Sequence, residues 1–320
     1  MMNEKIFSIL LLIASVFFQK GSITVLANTQ VTQVTQIQKE WNEPILVYGE
    51  NLTFQQIEIV NSAFGIQDVS TVVRQVATTA DASKYLGFDT TGAQILSSVL
   101  VEKQSKNFGV QVIIKTPGLI TSVTKTQYTN AAITAGIKDV KISIAAPNEI
   151  TGEYALIGVY KSLAIKGFLI DEGRTFIAQE EMFLARQIVA EQDKGKEFDS
   201  RLLDNVLANL KIKLVQHKQI NNIIASEEEV ALIVKSVLKD GGLNGLLTDD
   251  QVYQLMSFAS KFQTTSAVDA IEIINQLELL KESISAELPN SPNLSDETSF
   301  LETFREEVKS FIHSLQFFSW

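Results

Sequence analysis

The chain has 320 residues, no cysteine, two histidines and a formal net charge of −10. Without thiols it has no disulfide, thiolate nucleophile, Cys-ligated zinc or iron–sulfur cluster, and the acidic balance argues against a nucleic-acid surface. An apolar content of 45% against 20% charged residues supports a sizeable core, and the length allows two domains.

The first residues read as an address. Lys5 precedes an apolar run from Ile6 to Phe18, broken only by Ser8 and Ser15. That run is short for a membrane-spanning helix and suited to the core of a signal peptide. Val25-Leu26-Ala27 supplies the small-residue cleavage site, so residues 1–27 are expected to be removed after Ala27, giving a secreted, envelope-associated chain. Residues 28–42, rich in Gln and Thr, fit no helix or strand period and read as a flexible leader.

An α+β domain is expected over 43–165. Ile45 to Tyr48 forms a strand. Thr53 with Gln56 makes a capping box for a helix that buries Ile57, Val60 and Phe64 and stops at Gly65. Val69 to Ala77 reads as a strand, Asp81 to Leu86 as a short helical turn, and Gln94 to Glu102 and Gly109 to Thr116 as two strands. The polar link between the last two predicts an antiparallel hairpin. Thr124 caps a helix from Lys125 to Ala135, Val140 to Ala145 is a strand ended by Pro147, and Thr151 opens another helix. The order is β-α-β-β-β-α-β-α.

From 166 to 287 helical stripes dominate: Phe176, Phe183, Leu184 and Ile188; Leu203, Val206, Leu207 and Leu210; Val230, Ile233, Val234 and Val237; Val252, Leu255, Met256 and Ala259; Ile271, Ile274 and Leu277. Glycines at 195, 241, 242 and 245 mark the breaks. The lysines between Lys211 and Lys218 read as the wet face of a helix. Residues 288–296 are a linker by composition, and 297–320 read as an amphipathic C-terminal helix. Its face of Phe300, Phe304, Phe311, Ile312, Leu315 and Phe318 is a candidate membrane or partner contact, although Glu302, Glu306 and Glu307 on the other side do not attract anionic lipid.

Several short motifs carry chemically active residue types. Asp240, Asn244 and Thr248 stand at calcium-loop spacing, but Gly242 and Gln251 occupy positions that need an oxygen ligand and a bidentate Glu. Ser236-Val237-Leu238-Lys239 spells Ser-x-x-Lys without its companion signatures. Ser97-Ser98 lacks a nucleophile elbow, and His217 and His313 lie in the helical half with no second ligand at i+3 or i+4. Glu227 to Glu229 and Asp249-Asp250 fall in first helical turns, where they complement the helix dipole. The glycine-rich pieces lack a nucleotide fingerprint, so no cofactor is expected.

The string of Thr79 to Gly87, Ser97-Ser98, Leu119 to Thr124, Ala131 to Asp139, Ala145-Ala146-Pro147, and Gly152 with Ala155-Leu156 and Gly158 resembles the domain-of-unknown-function family 1002. The resemblance runs over about residues 43 to 285. It implies an exported protein of Gram-positive bacteria with an envelope role, and supplies no catalytic residues. The chain has Thr151-Gly152-Glu153 where that family has Ser-Gly-Thr, so the hydroxyl at position 153 is missing.

With no assembled catalytic set, the sequence points to a non-enzymatic binding protein whose partner is an envelope component or another protein. Two alternatives stand beside it: a cell-wall hydrolase using an Asp/Glu acid–base pair, and a peripheral membrane protein held by the C-terminal helix.

Overall fold

The computed structural model describes residues 41–192 and 198–287. The residues expected to form a signal peptide, most of the expected leader, Gly195, the expected linker and the 297–320 segment expected to be an amphipathic helix, with its aromatic residues and His313, lie outside these residues. The first half contains β1 (Ile45–Gly49), α1 (Phe54–Phe64), β2 (Val73–Ala77), α2 (Thr79–Leu86), β3 (Ser98–Lys103), β4 (Val110–Ile114), α3 (Lys125–Thr134), β5 (Val140–Ala145) and α4 (Ala155–Ile165). The second is helical: α5 (Glu172–Gln192), α6 (Ser200–Asn221), α7 (Glu227–Asp240), α8 (Asp249–Phe262) and α9 (Glu272–Glu287). The architecture is thus a mixed sheet with helices followed by an all-helical region. The described residues belong to one compact unit.

The sheet runs β2-β1-β3-β5-β4. β1 is parallel to β2, β4 is parallel to β5, and β3 is antiparallel to both β1 and β5. Four strands therefore point one way and β3 alone runs back. The expected β3–β4 hairpin does not form, because β5 lies between the two strands. Lys103 and Val110 both sit opposite Val140, so the polar link arches over the start of β5. Asp139 holds the arch. Its carbonyl accepts from Gln104 N at 2.8 Å and Lys103 Nζ at 2.9 Å, and its carboxylate accepts from Gly109 N at 3.3 Å.

Strand alternation distributes the core to the two faces. Leu46, Tyr48 and Leu100 face α1 with Val60 and Phe64. Ile45, Val47, Val99, Val101, Ile142 and Ile144 face the other way, toward α4. α4 comes close enough to do this because Gly158 lacks a side chain; a Cβ there would stand 2.7 Å from Val99 Cγ2.

α3 joins the halves. It packs on β4, α5, α6 and α9, and every residue from Thr126 to Thr134 is buried. A helix enclosed on all sides is ordinarily apolar, yet α3 carries Thr126, Gln127, Thr129, Asn130 and Thr134 inward. Their partners therefore have to come from the helices around it.

Local chemistry moved several expected boundaries. Val69–Thr71 is a 3-10 turn rather than strand, because Asp68 Oδ1 accepts from Ser70 N at 2.8 Å. Gln94 to Ser97 is not laddered, since Ile95 is held instead by Asn51: its amide donates to Asn51 Oδ1 at 2.8 Å. The helix expected at Thr151 opens only at Ala155, because Ile150 and Thr151 first pair with the 119–122 segment.

In the helical half the buried apolar residues of α5 include Ile177, Ala178, Met182, Leu184, Ala185 and Ile188, with Glu181 buried beside them; Leu184 and Ile188 are where they were expected, whereas Phe176 and Phe183 are not core residues. On α9 the stripe is Ile273, Leu277, Leu280 and Ile284, and Ile271 is 61% exposed. The wet-face reading of the 211–218 lysines fails: Lys211 is fully buried and Lys213 nearly so.

Candidate functional site

A hollow of about 210 Å³ lies at the carboxyl ends of β1 and β5, beside the start of β3. That edge is the usual ligand position in sheets with like-directed strands. Gln94, Leu96 and Ser97 line it on one side and Ile150 to Tyr154 on the other. Both walls are non-ladder backbone flanking regular elements, so the sheet and α4 fix their positions.

Gly152 shapes the floor. Its φ is +99°, and a Cβ would fall 2.4 Å from Tyr128 Oη and 2.7 Å from Ile120 Cγ2. The Tyr128 hydroxyl, completely buried on α3, donates to the Gly152 carbonyl at 2.5 Å. Burial, helped by the nearby Glu153 charge, pushes that phenol far above its ordinary pKa, so it acts as a permanent donor. The same carbonyl accepts from Ala155 N at 3.2 Å as α4 begins. Glu153 is the pocket's carboxylate. Arg186 Nη1 from α5 lies 2.6 Å from Glu153 Oε1, and the guanidinium stands 5.8 Å from the centre of the Phe183 ring. Burial and Glu153 also raise the Tyr154 phenol.

Ser97 is 5% exposed, and the hydroxyl of the neighbouring Ser98 is buried without a hydrogen-bond partner among the described residues. No histidine, lysine or arginine lines the hollow, and its single carboxylate is neutralised. Hydroxyls without a base can donate and accept hydrogen bonds, which suits binding rather than nucleophilic attack.

A second cluster is sealed in the core. Lys211 Nζ donates to Glu181 Oε1 at 2.6 Å, Asn130 Oδ1 at 2.5 Å and Thr134 Oγ1 at 2.8 Å. The Thr134 hydroxyl donates onward to Glu181 Oε2 at 2.5 Å, and Asn130 Nδ2 donates to the Asp204 carbonyl at 3.1 Å. α3, α5 and α6 are tied together this way. The Asp204 carboxyl is 1% exposed and neither of its oxygens has a partner. Burial, with Glu181 adding to it, pushes its pKa up to about 8, so it is held protonated at neutral pH. Sequence reasoning missed this cluster, because an isolated Lys or Glu in an amphipathic helix looks like a surface residue. The one signal was the polar content of the 125–134 segment.

Asp240 ends α7 and its Oδ2 meets Lys213 Nζ at 3.3 Å and the Ser236 hydroxyl at 3.3 Å. Thr248 spends its side chain capping α8, and Asn244 is exposed in the turn. Among the described residues no group of three or more His, Asp or Glu is gathered as a metal would need. The lysine that meets Ser236 is Lys213, at 2.9 Å, not Lys239. His217 is buried on α6, 3.8 Å from Glu229, and burial lowers its pKa. Ser98 is the first residue of β3 and is 1% exposed. Glu227 to Glu229 and Asp249-Asp250 occupy the first turns of α7 and α8. No helix among the described residues is long and apolar enough to cross a membrane.

No solved structure matches the chain. It is 26% identical over 278 residues to the uncharacterized protein YpuA of Bacillus subtilis (strain 168), covering 85% of this chain and 84% of that one. Of the string singled out from sequence, Ser97 and Gly152 line the pocket, and the family model described as protein of unknown function (DUF1002) matches residues 48–280, so the chain belongs to that family.

Proposed function

We propose that this is an exported, cell-envelope-associated binding protein that acts without catalysis and recognises its ligand in the pocket between Gln94–Ser97 and Ile150–Tyr154. The observation that carries the reading is the state of the pocket's groups. Hydroxyls, amides and a phenol converge there, while the one carboxylate is already engaged by Arg186. A hydrolase needs two carboxyls facing a substrate across an open cleft. The acidic pair that the fold does bring together, Glu181 and Asp204, is 2% and 1% exposed, out of reach of any glycan or peptide. Export rests on the leader sequence.

The test has two parts. Intact-mass analysis of protein recovered from the medium or wall fraction should show a chain beginning at Asn28. Incubated with purified envelope, that chain should be retained in the pellet while no reducing ends or free amino groups are released. Product release above a heat-inactivated control would make it an enzyme, and a chain retained in the cytosol with its leader intact would remove the envelope role.

A further inference from the structure

On the reading of the pocket as the recognition site, we propose that its ligand is an extended, uncharged stretch of peptide that pairs along Gln94–Ser97 as an added strand.

The pocket lies where the sheet forks. β3 and β5 stay paired as far as Ser98 and Ala145. Carried two residues further, that register would set Leu96 opposite Pro147, which has no N–H to give. The Ala146 N–H has already turned away, to Thr116 Oγ1 at 2.9 Å. Beyond this point each chain keeps only its other neighbour. Ile95 holds to the end of β1: its N–H donates to Asn51 Oδ1 at 2.8 Å and its carbonyl accepts from Asn51 N at 3.3 Å. Ile150 holds to the continuation of β4: its N–H donates to the Leu119 carbonyl at 2.8 Å and its carbonyl accepts from Thr121 N at 3.0 Å. The hollow is lined by both chains.

The fork leaves main-chain groups over. In an extended chain, successive residues turn their N–H and C=O to opposite sides. With Ile95 facing β1, Leu96 presents both groups to the side that β5 has vacated, and it lines the pocket. Among the described residues neither group has a hydrogen-bond partner, and the main-chain groups of Gln94, one alternation back, have none. Across the hollow the Thr151 carbonyl accepts from Ser122 N at 3.3 Å, while the Thr151 N–H has no partner. A donor and an acceptor on one residue, repeated at every second residue, is the pattern that strand addition uses. Another peptide main chain carries the same pattern and so matches it.

The remaining lining sets the side chains. No Lys, Arg or His lines the pocket, and Glu153 is neutralised by Arg186 at 2.6 Å, so a charged ligand finds no counter-ion. Leu96, Ile150 and Tyr154 offer apolar surface instead. The hollow of about 210 Å³ is smaller than the roughly 300–1,000 Å³ of sites for drug-sized ligands, which limits the peptide to a few residues with small side chains.

The experiment is amide chemical-shift and hydrogen-exchange mapping on the chain from residue 28 to 320. The probes are N-acetyl-alanyl-valyl-alanine amide, its depsipeptide twin with ester oxygens in place of the N–H groups between residues, and N,N′-diacetylchitobiose as a glycan. We expect the peptide to shift Leu96 and Thr151 saturably and to slow exchange of the Leu96 amide hydrogen at least about tenfold at saturation. The depsipeptide should bind about tenfold more weakly, the factor that one lost hydrogen bond supplies. Leu96→Pro, which deletes the donor at a half-buried position outside the ladder, should lose most of the binding; should that variant not fold, exchange at Leu96 in the parent decides. Equal binding of peptide and depsipeptide with unchanged exchange at Leu96 would overturn strand pairing while leaving the pocket as the recognition site. Tighter binding of the glycan at the same residues would overturn it in favour of a sugar. Absence of shifts at 94–97 and 150–154 with every probe would overturn the inference; if a solubilised envelope digest does shift those amides the pocket reading stands, and if it does not that reading falls as well.

Discussion

Lys211 is fully buried, and its ammonium makes short bonds to Glu181, Asn130 and Thr134. A buried ion pair contributes little net stability compared with an apolar substitute, but removing one member leaves an uncompensated charge. Lys211→Met is therefore expected to cost about 3–5 kcal/mol in chemical denaturation. The double variant Lys211→Met with Glu181→Leu should recover a large part of that loss. Additive losses would show that the two side chains are not coupled.

Asp204 makes the same network sensitive to alkali. Its carboxyl titrates at about 8 in the fold against 3.8 as a free side chain. The folded state thus binds this proton more tightly, so its stabilising share is complete below pH 4 and lost as pH rises through 8. The charges facing it are Glu181 on α5, Lys211 on α6 and Asp199 ahead of α6. Burial lowers the Lys211 pKa, which gives a slope of the opposite sign, so the informative quantity is the difference between variants. Asp204→Asn should raise the melting temperature relative to the parent by at least ~4 °C more at pH 9 than at pH 6, given about 1.4 kcal/mol per pKa unit and 2–4 °C per kcal/mol. A difference independent of pH would show that Asp204 does not hold a proton in the fold.

Among the elements, α4 links the sheet to the pocket. Its approach depends on Gly158, against which Val99 and Val47 pack. Alanine is the better helix former by up to about 1 kcal/mol. Here its Cβ would lie 2.7 Å from Val99 Cγ2, so Gly158→Ala should instead destabilise by about 1–3 kcal/mol through overpacking. Adding Val99→Ala should relieve part of the loss, and a stabilised Gly158→Ala would mean that α4 has room to spare.

The elements were largely legible from sequence because their signals are local. The capping box expected at Thr53 and the cap expected at Thr124 both form, and the β5 strand has the expected ends, Val140 and Ala145. The hairpin between β3 and β4 was not legible, because inserting β5 between two strands is a non-local event that the polar link does not encode. The pocket was half legible. Ser97 and Gly152 stood out, but the Arg186–Glu153 pair and the Tyr128 bond join residues far apart in the chain. Lys211 was misread because helix periodicity assigns faces by residue type, and a lysine with a buried glutamate on another helix breaks that rule.

At the scale of the whole molecule, the sheet sets one wall of the pocket and its floor is tied to α3, which the Lys211 network fastens to α5 and α6. Arg186 reaches the same pocket from α5. The helical half thus braces the site rather than supplying chemistry to it. Loosening the core network should therefore weaken binding in the pocket without a direct contact, and Lys211→Met should show this below its own melting transition.

The most direct measurement is retention of the chain from residue 28 to 320 on purified envelope, compared with Gln94→Trp, which fills the pocket from an exposed rim position and leaves the fold intact. The account predicts at least a tenfold loss of affinity, about 1.4 kcal/mol, with an unchanged melting temperature. Equal retention of the parent and the blocked variant would show that recognition lies elsewhere on the molecule.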